Sequence, residues 1–445
     1  MQTFQEFSEK LSRSISVKIA IIGFLILILL IPAFMIQELI SERQKTRNEV
    51  VQEVSDKWGR EQTVTGPIIS IPYYEQYVTN EQEIIKSPKT LFILPEKLDI
   101  DGQINPEIRY RGIYKVIVYN SAIHFNGIFH LPDLNELGIP AEQVYWDKAS
   151  ILLGISDLRG IQKEIKVSVN DQLYDVNPGL KYTTIANAGV TSDIKLNPGV
   201  RDYNVQFDLN LSGSENLYFS PVGKTTTVNI NSPWSTPSFT GSFLPDDHSV
   251  GNNGFKANWT IFDLNRNFPQ VWNNQTYNMN DTAFGVNLLF PVDEYQKSMR
   301  SAKYAVMFIA LTFLIYLFVE IINKKRIHPI QYLLVSLALL LFYTLLLSLS
   351  EQIGFNWAYL ISAVAIIGLI TVYSHSIFKS GKLTRITSMA LIVLYAFLFT
   401  ILQLEDYALL FGSIGLFIIL GFVMYLSKRI NWYGQINGEG QNKEK

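Results

Sequence analysis

The chain has no cysteine among its 445 residues. That excludes a disulfide framework, a thiolate nucleophile, a Cys-bearing zinc site and an iron–sulfur cluster. Charge is also scarce: 17% of residues are charged, against about 25% in an average soluble domain. The formal net charge of -2 gives no reason to expect a nucleic acid or other polyanionic partner. With 48% hydrophobic residues the chain is still too polar to lie wholly within a membrane. A mixed protein follows, with part of the chain in lipid and part in water.

The apolar residues are segregated. Residues 17–39 form an apolar run interrupted only by Lys18, Pro32 and the terminal Gln37-Glu38, and a spanning helix needs about 20 such residues. A signal peptide would have a core of about 7–15 residues and a small-residue cleavage site. The stretch "MIQELISERQ" after Phe34 offers no such site, so the run reads as an uncleaved anchor. Within 301–427, further apolar runs cover Tyr304–Ile322, Pro329–Leu349, Trp357–Tyr373, Ile386–Leu402 and Tyr407–Leu426, the third and fourth spans of the chain being read there from Pro329 and Trp357. One early and five late runs predict six transmembrane helices.

Cations near short loops stay on the cytoplasmic side. Lys10, Arg13 and Lys18 precede or enter the first span, Lys324, Lys325 and Arg326 follow the second, Lys379, Lys382 and Arg385 follow the fourth, and Lys428 and Arg429 follow the sixth. The opposite short loops carry Glu351, Glu405 and Asp406 and no cation. Two clusters dissent, Arg43, Lys45 and Arg47 after the first span and Lys297, Arg300 and Lys303 before the second. Both flank the long intervening segment, and long segments escape the rule. Both termini are therefore expected in the cytoplasm, with residues 1–16 and a disordered tail, 428–445, on that side and the large domain outside it.

Residues 40–58 read as a helical stalk continuing the first span. Val50, Val51, Val54 and Trp58 recur at helical spacing, and Glu53 and Lys57 form an i,i+4 pair. Gly66-Pro67 and Pro72 then exclude a helix. From 59 to 300 the pattern is mainly β: Tyr203, Val205, Phe207, Leu209 and Leu211 alternate with Asn204, Gln206, Asp208 and Asn210, as in a strand with one buried face. Similar alternation marks Ile123–Leu131, Ile165–Val169, Thr226–Ile230 and Phe255–Ile261. The expectation is a mainly antiparallel β domain; if it forms two units, the boundary falls near 180–200. The "NPG" triplets at Asn177–Gly179 and Asn197–Gly199 read as two turns. Val292, Tyr295, Met299 and Ala302 predict a helix leading back to the membrane beside the outgoing stalk.

Several of these segments carry a family likeness: "IGFLILILLIPAFMI", "ISERQKTRNEVVQEVSDKWGREQTVTGPIISIPY", "RGIYKVIVY", "GSENLYFSPVGKTTTVNINSPWSTPSFTGSFLP" and "HPIQYLLVSLALLLFYTLLLSLSE". Together, in order and spacing, they resemble the CreD family of bacterial inner-membrane proteins. The resemblance covers nearly the whole chain. It implies a multi-pass inner-membrane protein associated with cell-envelope integrity, stress response and a carbon-source-responsive two-component regulon. It supplies no catalytic residue and no cofactor.

Candidate sites must then stand on their own chemistry. His328-Pro329 reads as a helix start, because proline is favoured in the first turn; a ligand or proton-relay role for His328 is the competing reading, with no second titratable group evident beside it. His124 and His130 share a strand face but lie six residues apart, roughly 20 Å at about 3.3 Å each, too far to share a metal while the strand is straight. His248, with Asp246 and Asp247 in "PDDHSVGNNG", reads as a solvated turn. "GKTT" at Gly223 lacks the earlier P-loop glycine, Tyr218 standing there, and runs into the alternating "TVNI" where a helix is required. Within the spans, Lys18, Glu320 and His375 lie near helix ends where they can reach the interface, and no acidic relay is evident. Ser336 and Tyr343 read as packing between helices.

The sequence thus predicts a non-enzymatic α plus β membrane protein with no catalytic, cofactor or metal site. Its external β domain would bind an envelope protein, glycan or lipid, with the bundle as anchor in the bilayer or signal relay. The alternative is a transporter or lipid-handling protein with the β domain as gate. Oligomeric state is open.

Overall fold

The computed structural model of the protein describes residues 15–78, 84–273, 275–290, 294–323, 325–404 and 407–428. Lys10, Arg13, Val292, Lys324, Glu405, Asp406, Arg429 and the rest of the tail after Lys428 lie outside the described residues, so readings placed on them are not addressed further. The chain divides into two compact units, one drawn from Met1–Arg47 with Val292–Lys445 and the other from Asn48–Pro291.

The anchor and the stalk are one helix, α1 (Ile15–Trp58, 44 residues), with Pro32 inside it. At 1.5 Å per residue it is about 66 Å long, twice what a hydrocarbon core of about 30 Å requires. It stops where Gly59 adopts φ +147°, and a Cβ there would sit 2.6 Å from the Ser212 carbonyl oxygen.

The second unit is built from two sheets. Among the described residues the larger has nine strands, and its main path runs Pro237–Gly241, Phe284–Leu288, Asn216–Ser220, Gln62–Val78, Ala149–Ile155, Gly189–Ile194 and Asn177–Pro178. Ile84–Ile93 pairs with Gln62–Val78, and Val271–Asn273 with Ile84–Ile93. The smaller sheet has eight strands in the order Asp247–Gly251, Gly254–Phe262, Thr225–Ser232, Lys97–Arg111, Tyr114–His130, Asp202–Ser214, Lys166–Val169 and Gln172–Asp175. Most pairings are antiparallel. Two are parallel: Gln62–Val78 with Asn216–Ser220, and Thr225–Ser232 with Lys97–Arg111.

The alternating stretches all become strands with the predicted faces buried. Tyr203, Val205, Phe207, Leu209 and Leu211 are each at most 4% exposed, and burying a side chain of this size contributes about 1.5–3 kcal/mol. Phe125 and Phe207 face each other in register and stack at 4.6 Å, while Phe219 of the larger sheet meets Phe125 at 6.4 Å. One hydrophobic core therefore joins the two sheets. Residues 180–200 do not interrupt it: Ile185, Val190, Ile194 and Leu196 are part of it, and Gly189–Ile194 is a strand of the larger sheet.

Two local expectations need correction. Asn177–Pro178 is a short strand paired with Thr191 and Val190; only the second triplet is a turn, closed by Gly199 N donating to Asn197 Oδ1 at 3.0 Å. Asp247–Gly251, read as a loop, is an exposed edge strand, because pairing with Gly254–Asn258 supplies the backbone partners that the polar sequence conceals.

Among the described residues the first unit contains, after α1, six helices: α2 (Glu294–Lys303), α3 (Ala305–Ile322), α4 (Pro329–Ile353), α5 (Phe355–Phe378), α6 (Gly381–Gln403) and α7 (Ala408–Ser427). Among the described residues six helices, α1 and α3 to α7, are long and apolar enough to cross a membrane. α5 and α6 extend beyond their apolar runs to 24 and 23 residues, since Ser374, His375, Lys382, Thr384 and Arg385 continue the helix at its polar ends. Inside the bundle Phe342 meets Tyr395 at 4.8 Å and Tyr359 at 5.2 Å, and Tyr359 Oη donates to the Tyr395 carbonyl at 2.7 Å.

The approach helix α2 belongs to this bundle. Tyr295 Oη donates to Glu351 at 2.9 Å, Lys297 Nζ to Gln403 at 3.0 Å, and Arg300 Nη2 to the carbonyls of Ile401 and Leu404 at 3.3 and 2.9 Å. Two of the cations that dissent from the charge rule thus have a structural use. Arg300 places its positive charge on carbonyls at the C-terminal end of α6, where the helix dipole favours a cation.

Candidate functional site

Glu320, expected to reach the interface, is instead only 2% exposed. An isolated buried carboxylate would cost several kcal/mol, so it must be paired and hydrogen-bonded. It is: Lys18 from α1 forms an ion pair with Oε1, the Ile327 amide donates to the same oxygen at 3.2 Å, and Tyr332 Oη donates to Oε2 at 2.9 Å. The carboxylate near the end of α3 thereby ties together α1, the α3–α4 turn and α4.

The turn follows from local chemistry. α3 ends at Asn323, whose amide donates to the Val319 carbonyl at 3.2 Å. Ile327 is buried, and His328 is the N-cap of α4 with Pro329 in the first turn. His328 Nδ1 accepts from the Ile330 amide at 3.3 Å, and Gln331 Oε1 accepts from the His328 amide at 3.0 Å. This reciprocal cap satisfies two amides at the helix entrance. The expected helix start is present, and it uses the imidazole itself. Because Nδ1 accepts, a neutral His328 carries its proton on Nε2.

These groups surround a cavity of about 380 Å³. Val17, Ile21 and Ile22 supply an apolar wall from α1, while Lys18, Arg326 and His328 supply polar groups. The sequence placed only the neighbouring basic residues beside His328; Lys18, Glu320 and Tyr332 join Arg326 around this cavity. The signal available for the pairing was a basic residue near the start of one apolar run, Lys18, and an acidic one near the end of another, Glu320. His375, by contrast, is exposed.

In the β unit the histidines are separate. His124 Nδ1 meets Asp208 at 2.8 Å and His130 Nδ1 meets Asp202 at 2.7 Å, both as exposed pairs across neighbouring strands. His248 lies against the Phe239 ring at 5.3 Å. Among the described residues no group of three or more His, Cys, Asp or Glu is placed to hold a metal ion. "GKTT" leads into strand Thr225–Ser232, which leaves no helix N-terminus for a phosphate.

A polar clasp that sequence reading missed sits where α1 gives way to the sheet. Arg159 Nε and Nη2 each donate to Asp157 at 2.9 Å, and the Arg60 amide donates to Asp157 Oδ2 at 2.9 Å. Arg159 Nη1 reaches the Asp56 carbonyl at 2.5 Å. Burial alone would raise the Asp157 carboxyl, but the hydrogen bonds from Arg159 and the Arg60 amide outweigh it and hold the group below the usual carboxylate range. The clasp fixes the helix end.

The family model described as inner membrane protein CreD matches residues 14–433. Inner membrane protein CreD of Escherichia coli (strain K12) is 34% identical over 418 residues, covering 92% of this chain and 91% of that protein. A match of that extent takes in both the two-sheet unit and the apolar helices, and the chain belongs to the CreD family of multi-pass inner-membrane proteins.

Proposed function

We propose that the protein is a non-enzymatic component of the inner membrane that supports envelope integrity under stress, with the β unit outside the cytoplasm as a binding module for an envelope protein, glycan or lipid. The observation that carries this reading is the β unit itself: two sheets on one hydrophobic core, in a chain whose remaining helices are suited to a membrane. Its edge strand Asp247–Gly251 is exposed along its whole length, and such an edge can accept a further strand. In-cell photocrosslinking from positions along this edge tests the reading. Recovery of one envelope component, at wild-type abundance of the protein, supports it; crosslinks only to abundant bystanders, unchanged when the edge is blocked by Val250→Pro, overturn it.

A lipid-handling or transport role is the second reading, and the buried Lys18–Glu320 pair favours it, because ionisable residues within membrane spans mark functional pathways more often than packing. Glu320→Gln at normal abundance separates the two: loss of the envelope phenotype supports lipid handling or transport, and its retention supports the binding module.

A further inference from the structure

We propose that the cavity bounded by the start of α1 and the α3–α4 turn is a binding site for the phosphodiester headgroup of an anionic phospholipid. This goes beyond the functional reading above, since it concerns only the helical unit.

The cavity is two-sided. Val17, Ile21 and Ile22 form a wall suited to the glycerol and first methylenes of a lipid, and Arg326 and His328 stand on its polar side. Its volume of about 380 Å³ is within the range of small-ligand sites. It lies at the ends of apolar helices, where headgroups meet acyl chains.

Its electrostatics select the sign of the ligand. Glu320 is the carboxylate of the cavity, and its oxygens are already taken by Lys18, Tyr332 and the Ile327 amide. It therefore neither repels a phosphate strongly nor remains to receive the ammonium of a zwitterionic headgroup. Arg326 is exposed and makes no ion pair among the described residues, which leaves a guanidinium fork matched to phosphate oxygens. His328 spends Nδ1 on its own helix cap, so Nε2–H is the nitrogen left to donate. The positive end of the α4 dipole adds to the same preference. Basic pockets between membrane helices take anionic headgroups by this physics.

The test is native mass spectrometry of the full-length protein in detergent, titrated with dioleoylphosphatidylglycerol or dioleoylphosphatidylcholine, with inorganic phosphate as competitor. Wild type is expected to bind the glycerol lipid at least about tenfold more tightly than the choline lipid, a preference built from more than one cationic contact. Arg326→Gln should weaken it about fivefold, Arg326→Lys should retain it, and Lys428→Gln, at the exposed end of α7, should leave it unchanged. Equal binding of the two lipids overturns the proposal, as does an equal loss in Lys428→Gln. Displacement of the lipid by inorganic phosphate at equal concentration also overturns it, because the apolar wall would then play no part. Failure to crosslink a partner to the β unit would leave each of these results intact.

Discussion

The Lys18–Glu320 pair joins residues 302 positions apart, and its energetics are asymmetric. Removing Lys18 leaves a buried carboxylate with only neutral donors, which costs about 3–5 kcal/mol, whereas replacing both charges by apolar groups can be close to neutral. Lys18→Met should therefore lower the thermal stability of the purified protein sharply, and Lys18→Met with Glu320→Leu should recover most of the loss. A double variant as unstable as the single one would show that the pair does not act as a unit. Asp157 makes a pH-dependent prediction. Its folded-state carboxyl is held below the unfolded value of about 3.9, so its contribution is complete above that value and is lost as pH falls through the lower, folded one. Between pH 5 and pH 3 the wild type should lose stability faster than Asp157→Asn, and parallel curves in thermal unfolding would contradict the hydrogen-bond geometry.

Among the elements, α2 shows how a short polar helix can matter to an apolar bundle. Its cations break the charge pattern expected for that side of the membrane, yet Arg300 holds the two carbonyls at the end of α6. A hydrogen bond to a charged group contributes about 1.5–3 kcal/mol. Arg300→Ala should destabilise the bundle by roughly that amount, and Arg300→Lys, lacking the guanidinium fork, should restore only part of it, as read by thermal unfolding in detergent. Equal stability of all three proteins would assign the contact no weight. The strand Asp202–Ser214 illustrates the opposite case, an element legible in advance. Its period-2 pattern is local, and a one-residue slip would expose Phe207 and four similar side chains at once.

For the whole molecule, the distribution of cations in the sequence predicts both termini in the cytoplasm and the β unit on the far side. Reporter fusions at Arg326, Lys382 and the C-terminus should all report cytoplasm, and a fusion within Asp247–Gly251 should report the opposite compartment. A fusion at Lys382 reporting outside would mean that one of α3 to α5 does not cross. The parallel pairings bear on assembly of the β unit. Lys97–Arg111 meets Thr225–Ser232, and Gln62–Val78 meets Asn216–Ser220, only after more than a hundred intervening residues are in place. Contacts of such separation must overcome loop-closure entropy first, so local patterning carries no sign of them.

What the sequence determined by itself was whatever depends on neighbours within a few turns or a strand. The apolar runs of about bilayer length, the alternation of Tyr203 to Leu211, the end of α1 before Gly59 and the helix start at Pro329 are all of this kind, because helix and strand periodicities and turn chemistry act over short distances. The tertiary structure alone decided which distant groups meet. It placed Lys18 against Glu320, carried one core through residues 180–200 and set Arg300 on the end of α6. Each of those outcomes satisfies a buried charge, a helix-end carbonyl or an apolar face with a partner far away in the chain. Such a requirement is visible in sequence, but the group that meets it is chosen only when the chain closes on itself.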